Sequence, residues 1–238
     1  MDRQYSIEDF IRIVETLRSE EGCSWDRVQT HASLKPCMME EAAELVASIR
    51  IYDKTGDAEN MREELGDILL QVVMHSQIAK EEGLFTLEDV IDEISRKMIR
   101  RHPHVFVRSE AKDEESIRSS WEEIKKKEKE GKAWIESPLR EIPMELPALT
   151  RASKVLKKAD KLYGAGDDYA SNVSALEDAV KKIAEFQPEK ENNEAEKVIG
   201  DMLINICDIA GRFKASGEQI LTDRIEDIID KYEPREKP

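Results

Sequence analysis

Two acidic motifs, Glu40-Glu41-x-x-Glu44 and Glu63-Glu64-x-x-Asp67, have the residue types and spacing of a metal site. Residues three apart on an α-helix share a face, so Glu41 points with Glu44, and Glu64 points with Asp67. If two such helices face each other, four carboxylates converge. At about 5 Å separation and an effective dielectric near 20, each pair of anions costs roughly 3 kcal/mol, and six pairs cost about 20 kcal/mol. That exceeds the stability of an ordinary domain. Two divalent ions would neutralise the cluster, and ligation by carboxylates alone favours hard Mg²⁺ or Mn²⁺ over Zn²⁺. The competing interpretation is that both motifs are solvated faces of a glutamate-rich protein.

A basic face accompanies the acids. Lys97 and Arg101 lie four apart, with Arg96 and Arg100 beside them, just before His102-Pro103-His104-Val105-Phe106. Cations there either complement the helix macrodipole or clamp phosphate, for which arginine supplies a planar fork and lysine a point charge. The polar loop Cys23 to Ser33 carries Trp25, suited either to stacking on a nucleobase or to anchoring the loop by burial. Lys35 could reach phosphate or solvent. Neither a serine or cysteine nucleophile with its base nor a glycine-rich phosphate loop is found, which leaves activated water as the attacking group. His31, His75, His102 and His104 lack zinc spacing, and Cys23, Cys37 and Cys207 are too far apart for a thiolate site. The cysteines are expected to be reduced and mostly buried.

The elements that must position these groups are helical. Charged residues make up 37% against 5% aromatic, which suits a charged helical bundle and makes all-α the expected fold class. Apolar periodicity predicts a helix around Phe10, Val14 and Leu17, a second from about Leu34 to Tyr52, a third through Met61, Leu65, Ile68, Leu69 and Val72 to near Gly83, and a fourth from Thr86, capped with Asp89. A net charge of −15 argues against nucleic-acid partners. With neither a membrane span nor a signal-peptide core after Met1-Asp2-Arg3-Gln4, a cytoplasmic protein is expected.

A second apolar series follows: Leu149 to Ala159, Leu176 to Ile183, Val198 to Ile209 and Leu221 to Tyr232. Gly66-Asp67 and Gly200-Asp201 precede Gly83 and Gly217 by the same interval, and Ile91, Ile94, Lys97 and Arg101 fall on Ile225, Ile228, Lys231 and Arg235. This predicts a duplicated helical unit. In the second copy Glu44 becomes Lys181 and Glu64 becomes Val198, so no metal pair is expected there. Between the copies, Ile117, Trp121 and Ile124 form a narrow apolar stripe on a helix that docks on another subunit or acts as an intramolecular strut. Glu122–Lys126 and Glu123–Lys127 are its expected ion pairs.

Cys23-Ser24-Trp25-Asp26, Gln29-Thr30-His31, Leu34-Lys35-Pro36, both acidic motifs, Arg100-Arg101-His102-Pro103-His104-Val105-Phe106 and Trp121-Glu122-x-Ile124-Lys125 together resemble the MazG family of nucleoside triphosphate pyrophosphohydrolases. The resemblance covers nearly the whole chain and is strongest before residue 130. It implies an all-α fold of tandem modules with a four-helix core completed by homodimerisation, and Mg²⁺-dependent hydrolysis of NTP or dNTP to monophosphate and pyrophosphate, as nucleotide-pool housekeeping. By position, Glu41, Glu44, Glu64 and Asp67 would bind metal, Glu40 or Glu63 would orient water, and Lys97 and Arg101 would hold phosphates, with Arg100, Trp25 and Lys35 as further substrate contacts. The expected layout is a catalytic module over 1–107, a helical linker over 108–145 and a degenerate module over 146–238. Some tandem members work through the second module; Lys181 and Val198 place activity in the first half here. Two rivals remain: a metal-stabilised helical regulatory dimer without activity, and a hydrolase restricted to one nucleotide, dUTPase-like or phosphoribosyl-ATP-type.

Overall fold

The computed structural model describes residues 4–106, 113–132, 135–187 and 193–233. Every regular element among them is a helix, and the chain divides into two compact units, Met1–Glu128 and Lys129–Pro238. The division falls inside the 108–145 stretch. None of the helices is long and apolar enough to cross a membrane.

In the first unit, α1 (Ile7–Arg18) starts at a capping box in which Ser6 and Asp9 satisfy each other's backbone N–H groups. Within the loop that follows, a single turn, α2 (Ser24–Arg27), carries Trp25. Helix α3 (Lys35–Thr55) has Pro36 in its first turn, where the missing N–H is harmless, and stops at Gly56. Gly56 sits at φ 74°, a left-handed conformation glycine adopts without penalty, and turns the chain directly into α4 (Glu59–Glu81). The two long helices pack along each other as a hairpin. Helix α5 (Leu87–Arg101) opens with the expected Thr86–Asp89 capping box. It ends where His102 Nδ1 lies 2.7 Å from the Met98 carbonyl, ahead of the short α6 (Pro103–Phe106).

The core gathers Val14, Leu34, Val73, Met74, Ile78 and Leu87, and so joins α1, α4 and the starts of α3 and α5. Beside it the Arg18 guanidinium reaches the Glu81 carboxylate at 2.7 Å and donates to the carbonyls of Asp26 and Gln29 at 2.7 and 3.2 Å. This one buried side chain ties the Trp25 loop to α1 and α4.

Helix α7 (Glu114–Lys129) is bound within the first unit through Glu128, which grips α5. Of its expected ion pairs, only Glu123–Lys127 lies wholly on described side chains. Lys126 lies outside the described side chains, no Glu123–Lys127 contact forms among the described residues, and Glu122 approaches Lys125 instead, at 4.0 Å.

The second unit holds α8 (Ala148–Tyr163), α9 (Tyr169–Ile183), α10 (Asn193–Arg212) and α11 (Gly217–Tyr232), with α10 against both α8 and α9. Cys207 and Ala210 are buried on α10, as Val73 and Ser76 are at the matching places on α4. The register then slips at the next turn. Gly83 is a left-handed residue at φ 69°, whereas Gly217 opens α11 behind its cap Ser216, and Lys214 takes the left-handed position at φ 57°. Arg235 lies outside the described residues. The cysteines are free, but only Cys207 is buried; Cys23 and Cys37 are half-buried, contrary to expectation, and each lies at a helix start, Cys23 capping α2 and Cys37 in the first turn of α3.

Candidate metal and phosphate site

Helices α3 and α4 bring Glu41, Glu64 and Asp67 together, with one ligand oxygen from each lying within 4.8 Å of the others. All three are half-buried, and among the described residues no cation pairs with them. Asn60, one turn before Glu64, donates to its carboxylate at 2.8 Å and orients it. The Glu41 carboxyl is pushed above its ordinary value, first by burial and then by the charges of Asp67, Glu44, Glu64 and Glu40. A carboxylate in that position gains from any neighbouring positive charge. Half-buried oxygen donors without a cationic partner are a donor set suited to a hard divalent ion.

Glu44 stands outside the triplet and is exposed, although its charge acts on Glu41. Glu40 and Glu63 are also exposed, on the same two helices. Exposure leaves all three free to turn, whereas the triplet is held by helix packing. Asn60 was missed in the sequence, where its only signal is i,i+4 spacing to Glu64.

On α5, Lys97 is half-buried. The Nε and Nη2 atoms of Arg100 donate to Glu128 Oε1 at 2.8 and 2.5 Å, and those of Arg101 to Oε2 at 3.0 and 2.5 Å. Glu128, invisible as a partner in the sequence, is thereby held at a pKa of about 2, chiefly by Arg101 and then by Arg100. The guanidinium carbon of Arg101 also lies 5.4 Å from the Trp121 ring centroid, within cation–π range.

Trp25 is 62% exposed, so within this chain it is not a buried anchor, and the loop is fastened by Arg18 instead. Lys35 is exposed at the start of α3. His31 and His75 stack with ring centroids 5.0 Å apart and Nδ1 atoms at 2.7 Å, so one nitrogen donates to the other and the two rings cannot both be fully protonated in this geometry. In the second unit, Val198 is buried and Lys181 pairs with Asp178 at 2.9 Å. Among the described residues, Glu41, Glu64 and Asp67 are the one group able to hold a metal ion.

Fold and site together define an all-α protein with a carboxylate centre on the α3–α4 hairpin and an arginine cluster on α5. Residues 29–106 match the MazG nucleotide pyrophosphohydrolase domain. The chain is 38% identical over 230 residues to the nucleoside triphosphate pyrophosphohydrolase/pyrophosphatase MazG of Thermotoga maritima, covering 97% of this chain and 85% of that protein. It is 35% identical over 218 residues to the nucleoside triphosphate pyrophosphohydrolase of Escherichia coli K12, covering 89% and 80% of the two chains. An uncharacterised Bacillus subtilis protein, YabN, is 46% identical over 153 residues, 64% of this chain and 30% of that one. The chain belongs to the MazG family.

Proposed function

We propose that this chain is a nucleoside triphosphate pyrophosphohydrolase that works through its first unit with Mg²⁺, or Mn²⁺, as cofactor. The observation that carries the reading is the convergence of Glu41, Glu64 and Asp67 without a cationic partner among the described residues. Glu44 completes the set by a rotamer change. When bound, the metal would polarise the α-phosphoryl group and ease deprotonation of the attacking water. Glu40 or Glu63 orients that water and takes its proton. The water oxygen bonds to the α-phosphorus, the bond from that phosphorus to the α–β bridging oxygen breaks, and pyrophosphate leaves. Lys97, Arg100 and Arg101 offset charge on the phosphate tail, while Trp25 and Lys35 meet the rest of the substrate.

The second unit is a degenerate copy of the first, supported by the buried Val198 and the Lys181–Asp178 pair where the first unit keeps acids. The functional form is a homodimer. Support comes from large apolar side chains left exposed along α3, α4 and α5, among them Val46, Leu65, Leu69 and Ile91 at 55, 52, 41 and 50%. Incubation with a mixture of NTPs and dNTPs plus Mg²⁺ tests the reading. Monophosphate and pyrophosphate are expected in equal amounts and from several bases. Release of orthophosphate, or no turnover, would remove it, and turnover of one nucleotide alone would favour the restricted hydrolase.

A further inference from the structure

Arg100 and Arg101 are consecutive on α5, and consecutive helical positions point about 100° apart. Two flexible, like-charged side chains with that divergence do not converge on a single anion by themselves. In the structure they do converge, because each presents its Nε–Nη2 edge to a different oxygen of the Glu128 carboxylate. The carboxylate is 12% exposed, and the arginines are 52% and 17% exposed, so Arg101 is the more firmly seated. Trp121, seven residues earlier and on the same face of α7, backs Arg101, and the Lys125 ammonium lies 4.3 Å from the same ring centroid. The result is two guanidinium groups on one carboxylate, with the Nη1 edges of both arginines unpartnered among the described residues.

We propose that Glu128 is a positioning residue, the clip by which α7 gathers the guanidinium groups of Arg100 and Arg101 and directs their remaining donors to the polyphosphate tail. This rests on the reading that those arginines hold phosphate. One acid against two guanidinium groups leaves the pair a net positive charge, so the clip orders the cations without cancelling them. With its carboxyl held at about 2 by the two guanidinium groups, Glu128 is ionised at neutral pH, and the clip is in place there. Chemistry ranks the variants. Glu128→Asp keeps two acceptor oxygens on a shorter arm. Glu128→Gln keeps one acceptor and turns a donor toward the other arginine. Glu128→Ala keeps none.

Binding of a non-hydrolysable nucleoside triphosphate and of the matching monophosphate is measured by calorimetry on the full-length chain with Mg²⁺, for these variants and for Arg100→Ala/Arg101→Ala. The expected result is triphosphate binding weakened about tenfold by Glu128→Gln, less by Glu128→Asp and more by Glu128→Ala, with monophosphate binding unchanged. Glu128→Gln should add nothing in the background lacking both arginines. In turnover, KM should rise more than kcat falls. Equal weakening of both ligands would show a merely structural role and overturn the proposal. Tighter triphosphate binding by Glu128→Gln would overturn it too, by making the carboxylate a competitor of the substrate. If removing the arginines weakens triphosphate binding and Glu128→Gln does not, the clip alone fails. If removing the arginines changes nothing, their phosphate role fails and the clip with it.

Discussion

Glu41 bears the cost of assembling the acidic centre. Burial and four neighbouring carboxylates raise its pKa above the ordinary 4.5, so as pH rises the unfolded chain releases this proton before the folded chain does. Stability of the metal-free protein should therefore fall between 4.5 and the raised value, and a divalent ion bound by the proposed centre would restore it. Glu41→Gln should raise the Tm of the metal-free protein at neutral pH by about 2 °C while abolishing hydrolysis; a lower Tm in scanning calorimetry would show the acids are not in conflict. His75 has the opposite pH dependence. Burial, and then His31, lower its pKa below 6.5, so on acidification the unfolded chain takes up the proton first. Stability should drop as pH falls from 6.5 through the lowered value, and His75→Asn should flatten that slope in denaturant titrations at several pH values. At this scale the helix rule made much of the site legible, since Glu64 and Asp67 share a face by spacing alone. It did not separate Glu44 from the triplet, because side-chain rotamers and helix stagger are not written in a three-residue interval.

At the scale of elements, the Trp25 loop depends on a side chain from another helix. Arg18 satisfies two loop carbonyls and the Glu81 carboxylate from a buried position. Arg18→Met should cost about 1–3 kcal/mol of stability, since it removes the donor shared by two loop carbonyls and by a Glu81 carboxylate that keeps only Gln77 and solvent. It should also raise KM by releasing Trp25; an unchanged KM would detach the loop from substrate binding. Helix spans and the Thr86 cap were readable because periodicity and capping are local. Partners such as Arg18–Glu81 and Arg101–Glu128 were not, because charge pairing across many residues depends on tertiary packing. On α7 the local rule misled. Exposed i,i+4 pairs are worth only a few tenths of a kcal/mol, and so carry little weight beside a carboxylate shared by two guanidinium groups.

At the scale of the molecule, the described chain leaves large apolar side chains exposed along α3, α4 and α5, among them Val46, Leu65, Leu69 and Ile91. Leu69→Glu should convert the proposed dimer to monomer in sedimentation experiments and reduce activity at least tenfold; a native chain that sediments as a monomer at micromolar concentration would contradict this. An apolar rhythm was legible along α10, where Cys207 and Ala210 are buried at the positions the expected register pairs with Val73 and Ser76 of α4. The slip between Gly83 and Gly217 was not, because a glycine serves equally as a left-handed cap and as a first helical residue. What distinguishes the units chemically is one aspartate in each, Asp67 among converging acids and the exposed Asp201 beside the buried Val198. The most direct measurement is therefore the Mg²⁺-dependent rate of pyrophosphate release by Asp67→Ala and by Asp201→Ala, compared with the native chain. Loss of at least a hundredfold in Asp67→Ala with Asp201→Ala near the native rate is the predicted result; the reverse pattern would move the active centre to the second unit and contradict the account.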